Sequence, residues 1–440
     1  YRICQFARET TVLDALLPGI APHDYFDDRL ADTLDALYDF GLGNLEAMLT
    51  SNMIEAFDIN TDICHNDTTC AFMYGDADKR RSDRGITITF GYSKQYRKDL
   101  KQLVWSLSVS SDSAFPLFQQ AYSGNTADVD TYVEQWHHLI DLLGKQDFLF
   151  VGDSKVASRQ NMAHIHDHQG FFISPLPMYA SYEKAFADAL DQHDREVLIP
   201  YKERINRGFE VPLVVNHEDT AYPFRMIVLF DHGLFHRKRK SLDQRIEKTR
   251  GAFDELSSRL NAYRLKEEAA IDKACQAILK KYKTGDVFEY TLYNEPLVTY
   301  KNSKRGRPSA TLPLEKVPVE TDRFRIDLRF NQSAYDQAIR RAGYYPLVTN
   351  QPASKLSIKD AMMAHKKQYT VEHAYRRSKS GYQLEPIYLH TPERIETYLF
   401  LFKIALQVIV LIERAARKNI QARDKGPVSY THLTLPTTPY

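Results

Sequence analysis

The sequence predicts a mixed α/β fold, an open sheet flanked by helices and interrupted late in the chain by a large α+β insertion. Three observations predict it. Asp62-Ile-Cys-His-Asn-Asp-Thr-Thr-Cys-Ala-Phe-Met-Tyr74 carries strand-type residues with period two. Phe148-Leu-Phe-Val-Gly-Asp153 is a continuous apolar run ending in an acid, with helical patterns on both sides. Strand signals then return at 323–330 and 344–350, after a long charged helical stretch.

At 440 residues the chain is long enough for two or three compact units. Its hydrophobic fraction of 43% and charged fraction of 26% are those of ordinary globular proteins, which excludes wholesale disorder. A net charge of +1 does not announce a polyanion binder. The basic residues cluster nonetheless, at Lys79-Arg80-Arg81, Arg237-Lys238-Arg239-Lys240, Lys304-Arg305-Gly306-Arg307 and Arg376-Arg377. Cys4, Cys64, Cys70 and Cys275 form no CxxC and no ligand spacing with histidine. That argues against a zinc module or a disulfide scaffold and fits a reducing, cytoplasmic compartment. Leu399–Ile412 is the most apolar run, but Lys403 and Gln407 interrupt it and it is too short to span a bilayer. It is expected to be a buried core helix, with no membrane partner.

Residues 1–60 read as helical, with apolar positions at Leu30, Leu34, Leu37 and Tyr38, then Leu45, Met48, Leu49, Met53 and Ile54. Starting at Tyr1 without a methionine, this region is expected to be truncated. It is either the remnant of a DNA-binding or dimerising module or plain packing. A first sheet portion spans 61–180: the Asp67 strand, Ile86–Phe90, Leu103–Val109, a helix through Leu143 capped by Asn125 or Thr126, the Asp153 strand, a helix to Gln169, and Phe171–Ile173. Residues 181–320 are expected to form the insertion. It holds an amphipathic helix or helical hairpin over Arg239–Tyr282 and a β-hairpin of Val287–Tyr293 with Leu297–Lys301. Residues 321–425 return to the sheet, with a Ser357/Asp360 capping box opening a helix through Ser378 and a last helix over about 391–418. The tail 426–440 has a foreign, low-complexity look and is expected to lie outside the fold.

Three carboxylates stand out: Asp67 inside a strand, Asp153 ending an apolar strand, and Glu372 on a helix with Arg376 and Lys379 on its face. Asp67 is either a structural carboxylate with a hidden partner or one arm of a metal site, since burying an acid is otherwise costly. Glu372 with Arg376 alone would be a surface i,i+4 pair. Together the three acids have the layout for two hard divalent cations, Mg²⁺ or Mn²⁺ in its place, acting in phosphoryl transfer. Lys94, Arg97 and Lys101 lie beside the Asp67 strand, where they can meet phosphate. Arg305 and Arg307 are either a minor-groove arm or a flexible basic loop. His164, His166 and His168 lack a ligand signature and are expected on the surface.

The chain resembles DDE transposases with a ribonuclease-H-like core, of the kind encoded by bacterial insertion sequences of the insertion-sequence-four superfamily. The resemblance rests on Asn66-Asp-Thr-Thr69, Gly91-Tyr-Ser-Lys94 with Arg97–Gln102, Gly124-Asn-Thr-Ala-Asp128, Gly152-Asp-Ser-Lys155 with Asn161, Leu347-Val-Thr-Asn350, and Val371–Ser380 followed by Pro386-Ile-Tyr388. It implies a ribonuclease-H-like mixed sheet, with the insertion placed before the last catalytic helix. It also implies that Asp67, Asp153 and Glu372 are catalytic acids binding two ions, and that Lys379 contacts the transposon end. Double-stranded DNA, as transposon ends and target, is the implied partner, with a homodimer on synapsed DNA and a cytoplasmic, nucleoid-associated location. One departure stands out. The family places an arginine and a tyrosine four and seven residues before the glutamate, where this chain has Gln368 and His365. Either Tyr375 and Arg376 take over those roles, with Lys155 also near the site, or the copy binds DNA without cleaving it.

Overall fold

The computed structural model describes residues 3–9, 15–74, 84–93, 96–193, 195–302, 316–381, 384–389 and 391–422. Lys94, Arg305, Arg307, the Lys79–Arg81 run and the tail 426–440 lie outside them. The N-terminal helices are α1 (Ile3–Glu9), α2 (Asp27–Phe40) and α3 (Leu42–Phe57). The sheet opens with β1 (Ile63–Met73), β2 (Lys101–Ser110) and β3 (Pro116–Ser123). Next come α4 (Asp128–Leu143), β4 (Leu149–Val151), α5 (Arg159–Asp167), β5 (Phe171–Pro175) and α6 (Ala180–Gln192). The strands β6 (Val197–Tyr201), β7 (Arg204–His217) and β8 (Thr220–Phe230) follow, then the helices α7 (His232–Ser258) and α8 (Glu268–Tyr282). Four strands come after these: β9 (Phe288–Asn294), β10 (Leu297–Asn302), β11 (Lys316–Thr321) and β12 (Phe324–Phe330). The chain closes with α9 (Gln332–Arg341), β13 (Tyr344–Thr349), α10 (Ile358–Lys366), α11 (Tyr369–Arg376) and α12 (Pro392–Ala422).

Nine strands form one sheet in the order β3-β2-β1-β4-β5-β13-β8-β7-β6. β1, β2 and β3 are antiparallel neighbours, β4 and β5 run parallel to β1, and β13 is antiparallel to β5. An antiparallel three-strand meander continued by parallel strands, with helices on its faces, is the ribonuclease-H-like mixed sheet.

Two compact units divide the chain: residues 1–197, 208–228 and 346–440 in one, and 198–207 with 229–345 in the other. In the first, Leu103, Trp105, Leu107 and Val109 of β2 are buried against Val371 and Tyr375 of α11 and Ile395, Leu399 and Leu406 of α12. Each such side chain contributes about 1.5–3 kcal/mol of burial. Trp105 meets the Tyr375 ring edge-on at 5.4 Å. α12 is long and apolar enough to cross a membrane by composition, yet Lys403 and Gln407 are fully buried on it. They are satisfied locally: Lys403 Nζ reaches Thr50 Oγ1 at 2.5 Å and Glu46 Oε1 at 3.2 Å, and Gln407 Nε2 donates to the Pro116 carbonyl at 2.8 Å. Such partners make α12 the core helix expected from the sequence.

In the second unit, α7 and α8 form a helical hairpin packed through Phe253, Leu256, Ile271 and Cys275. Its strands pair otherwise than expected: β9 pairs with β12 and β10 with β11, rather than β9 with β10. Asn294-Glu-Pro296 explains this, because a proline cannot donate to a ladder and here it separates two strands running in the same direction of a longer ribbon.

Other expectations need correction. Ile86–Phe90 forms no strand, pairing through an isolated Thr89–Gln102 bridge and a Gly124 N to Thr87 carbonyl bond, and the third strand of the meander is β3. Its signal is masked by Pro116, and the preceding turn places Ser113 and Ala114 at φ 63° and 61°. The N-cap position of α4 is Ala127, without a side-chain cap; Asp128 and Asp130 supply first-turn charge instead. The helix expected through Ser378 is broken between α10 and α11, although Ser357 does cap it, accepting from Asp360 N at 3.1 Å.

Candidate active site

Strand register brings two of the three acids together. His65 of β1 pairs with Val151 of β4 in a parallel ladder, and the same register carried two residues on, past the end of β4, brings Asp153 level with Asp67. A Cβ on Gly152 would lie 3.5 Å from the Asn66 carbonyl, consistent with that continuation. Both acids are half-buried. Asp67 Oδ1 accepts from Thr68 N at 2.7 Å. Asp153 Oδ1 accepts from the Tyr132 hydroxyl at 2.8 Å and from Lys155 N at 2.9 Å.

The electrostatics tie the pair together. Burial, then the charges of Asp153 and Asp67, push the Tyr132 phenol well above its ordinary value, so it stays a donor. Burial works against the Lys155 ammonium, but its ion pair with Asp128, helped by Asp153 and Asp67, holds its pKa above that of an ordinary lysine. Tyr132 and Asp128 were not singled out by sequence reasoning. Their i,i+4 spacing on α4, at the end of the Gly124–Asp128 motif, is the signal that points to them.

Glu372 is brought to the same strand by its neighbours. Gln368 Nε2 donates to the Asn66 carbonyl at 2.9 Å, and the Tyr375 hydroxyl donates to the Asp67 carbonyl at 2.6 Å. Glu372 lies between them on that helical face but is itself exposed. Among the described residues, no group of three or more His, Cys, Asp or Glu side chains is arranged to hold a metal ion. Two neighbouring carboxylates, each with one oxygen fixed by internal donors, nonetheless suit a hard cation, because Mg²⁺ takes only one or two carboxylates.

The departures at Gln368 and His365 have a structural setting. With Gln368 Nε2 committed to Asn66, its Oε1 accepts from His65 Nδ1 at 3.1 Å, which fixes the neutral tautomer of that fully buried ring. Burial pushes His65 down to about 4, and burial does the same to His365. Gln368 thus serves as a strand-to-helix strut.

The expected DNA-binding cations are engaged within the free chain. Arg97 pairs with Asp99 at 2.7 Å, Lys101 Nζ lies 5.8 Å over the Phe90 ring, and Lys379 bonds the Cys70 carbonyl and lies 3.3 Å from Glu385. Arg376 is exposed. Tyr375 differs from the expectation that it meets DNA: it is 6% exposed, and its hydroxyl is spent on the backbone of β1. Two motif glycines are explained by close backbone approach. A Cβ on Gly91 would fall 1.9 Å from the Gly124 carbonyl oxygen, and one on Gly124 2.0 Å from that of Gln102. Of the three histidines expected on the surface, His168 is exposed, whereas His164 and His166 are half-buried; His164 Nε2 lies 2.8 Å from His137 Nε2.

With this geometry established, sequence comparison identifies the family. The transposase DDE domain family matches residues 91–408, well over half of the chain. The chain belongs to that family. The matched span contains Asp153 and Glu372 and begins after β1, so it does not include Asp67. No curated protein matches the chain. As a DDE transposase it belongs to a family that generally uses divalent metal ions.

Proposed function

We propose that this transposase binds the terminal inverted repeats of an insertion sequence, of the insertion-sequence-four type, then cleaves the ends and joins them to target DNA. The register that sets Asp67 beside Asp153 supports this reading most. Asp67 and Asp153 would hold the divalent ions, Mg²⁺ or Mn²⁺, with Glu372 completing the set once DNA is bound. The ions would supply activation of the attacking oxygen and stabilisation of the leaving one. Tyr132 and the Lys155 amide keep Asp153 turned for that task. Lys94, Arg97, Lys101, Lys155, Arg376 and Lys379 would take DNA phosphates, with Arg97, Lys101, Lys155 and Lys379 exchanging internal partners for them, and Arg305 and Arg307 would reach the duplex. Synapsis of two ends calls for a homodimer on DNA, working at the nucleoid in the cytoplasm.

A second reading, a copy that binds without cleaving, is favoured by one observation: Glu372 is exposed, and the described residues hold no three-acid cluster that includes it. Cleavage of end-containing duplexes in Mg²⁺ or Mn²⁺ by the intact chain and by Asp67→Asn, Asp153→Asn and Glu372→Gln separates the two. The enzyme reading expects each variant to lose cleavage while still binding. An intact chain that binds ends and never nicks them establishes the second reading.

A further inference from the structure

The second unit gathers positive charge from three separate segments at one end of α7. Between Asp231 and Asp243 the chain has Arg237, Lys238, Arg239 and Lys240, all exposed, and no carboxylate. Asp231 is spent as the helix cap, its Oδ1 accepting from Leu234 N at 2.7 Å. Asp243 accepts from the Tyr335 hydroxyl at 2.8 Å and lies 3.9 Å from Arg239.

α9 runs antiparallel alongside this stretch. The Asp231 amide donates to the Gly343 carbonyl at 2.9 Å at one end, while Asp243 meets Tyr335 at the other. Arg340 and Arg341 therefore lie toward the Asp231 end of α7. Arg207 adds a third segment, its guanidinium 4.4 Å over the Phe230 ring and 5.6 Å from that of Tyr344. Gly343 permits the approach, since a Cβ there would fall 2.1 Å from the Phe230 ring.

Arg237 and Lys240, three residues apart, share one face of the helix, and like charges so placed repel one another in the free chain. A polyanion with regularly spaced charges removes that repulsion. We propose that this end of the second unit, led by Arg237, Lys238, Arg239 and Lys240, binds the phosphate backbone of duplex DNA. It would do so without reading sequence, as a contact separate from the carboxylate site. The inference rests on the reading of the chain as a DNA-binding transposase. Charge complementarity commits it to duplex DNA rather than to a protein partner.

The test is binding of the full chain to fluorescent duplex DNA over a salt series, with Arg237→Gln, Lys238→Gln, Arg239→Gln and Lys240→Gln combined. Each phosphate contact contributes about 0.9 to the slope of log K against log salt. Arg237→Gln with Lys240→Gln, the pair on one helical face, should lose about 1.8 from that slope, and the combined variant at least as much. Circular dichroism melting checks that both remain folded, and the milder pair keeps the test available should the fourfold variant not fold. The fold-loss relative to the intact chain should be the same on scrambled duplexes as on end sequences. Intact-chain binding whose slope neither variant changes overturns the patch but leaves the DNA-binding reading standing. An intact chain that fails to bind duplex DNA, or prefers duplex RNA, overturns both.

Discussion

Replacing Lys403 by methionine should expose how the first unit is held together. Lys403 and Glu46 are 0% and 3% exposed, and their charged atoms lie 3.2 Å apart where α3, α12 and β3 meet. Glu46 Oε1 also accepts from Gln119 N at 2.9 Å, and β3 is an edge strand, so this carboxylate satisfies a sheet edge that would otherwise lack an acceptor. Burial raises the pKa of Glu46 and lowers that of Lys403, and each charge opposes the shift of its partner. Removing the lysine strands a buried carboxylate, at a cost of about 3–5 kcal/mol. The Glu46→Gln, Lys403→Met double variant keeps an acceptor for Gln119 and removes both charges, so it should fall within about 1.5 kcal/mol of the parent. In Lys403→Met the Glu46 pKa rises further. A carboxyl whose folded pKa lies above its unfolded value contributes stability below the unfolded pKa and loses it as pH rises, so the defect should be smaller near pH 5 than near pH 8. Urea unfolding read by tryptophan fluorescence reports on this unit, since Trp105 and Trp136 are both buried within it. A single variant losing under about 1 kcal/mol, equally at both pH values, refutes the dry ion pair.

Three other outcomes follow from the site and its supports. Tyr132→Phe removes the donor that orients Asp153, and should raise the Mg²⁺ concentration needed for half-maximal cleavage about 10–100-fold while leaving DNA affinity unchanged. His65 and His365, held near 4 by burial, are bases with folded pKa values depressed below the unfolded 6.5. Their stabilising contribution is full above pH 6.5 and is lost as pH falls through about 4, by up to about 3 kcal/mol each. Gln368→Ala removes the acceptor of His65 Nδ1, a bond that raises the His65 pKa, so it should move this titration to lower pH in a pH-dependent melting series.

Local pattern carried much of the core. β1 was legible because its residues alternate, the β4 segment because it is apolar and ends in an acid, and α12 because its apolar run is broken by Lys403 and Gln407 at helical spacing. Those same patterns nominated Asp67 and Asp153. β3 was not legible: Pro116 and the polar Gln119 and Gln120 weaken its signal, and its polar groups are satisfied by Glu46 and Gln407 from elsewhere in the chain. The partnering of β9 with β12 was equally hidden, because a hairpin signal favours the nearest strand and says nothing of a ribbon continuing past a proline.

By itself, then, the sequence determined the order of helices and strands around the acids, since periodicity and an acid in or ending an apolar run are properties of neighbouring residues. The tertiary structure alone decided which distant groups meet. Parallel pairing drew β1 and β4, which carry or precede Asp67 and Asp153, together, Gln368 locked His65 to α11, Tyr375 turned inward onto β1, and α9 joined α7 through Asp231–Gly343 and Asp243–Tyr335. Hydrogen bonds and charge pairs act through space over a few ångströms, and no spacing along the chain encodes which residues those will be.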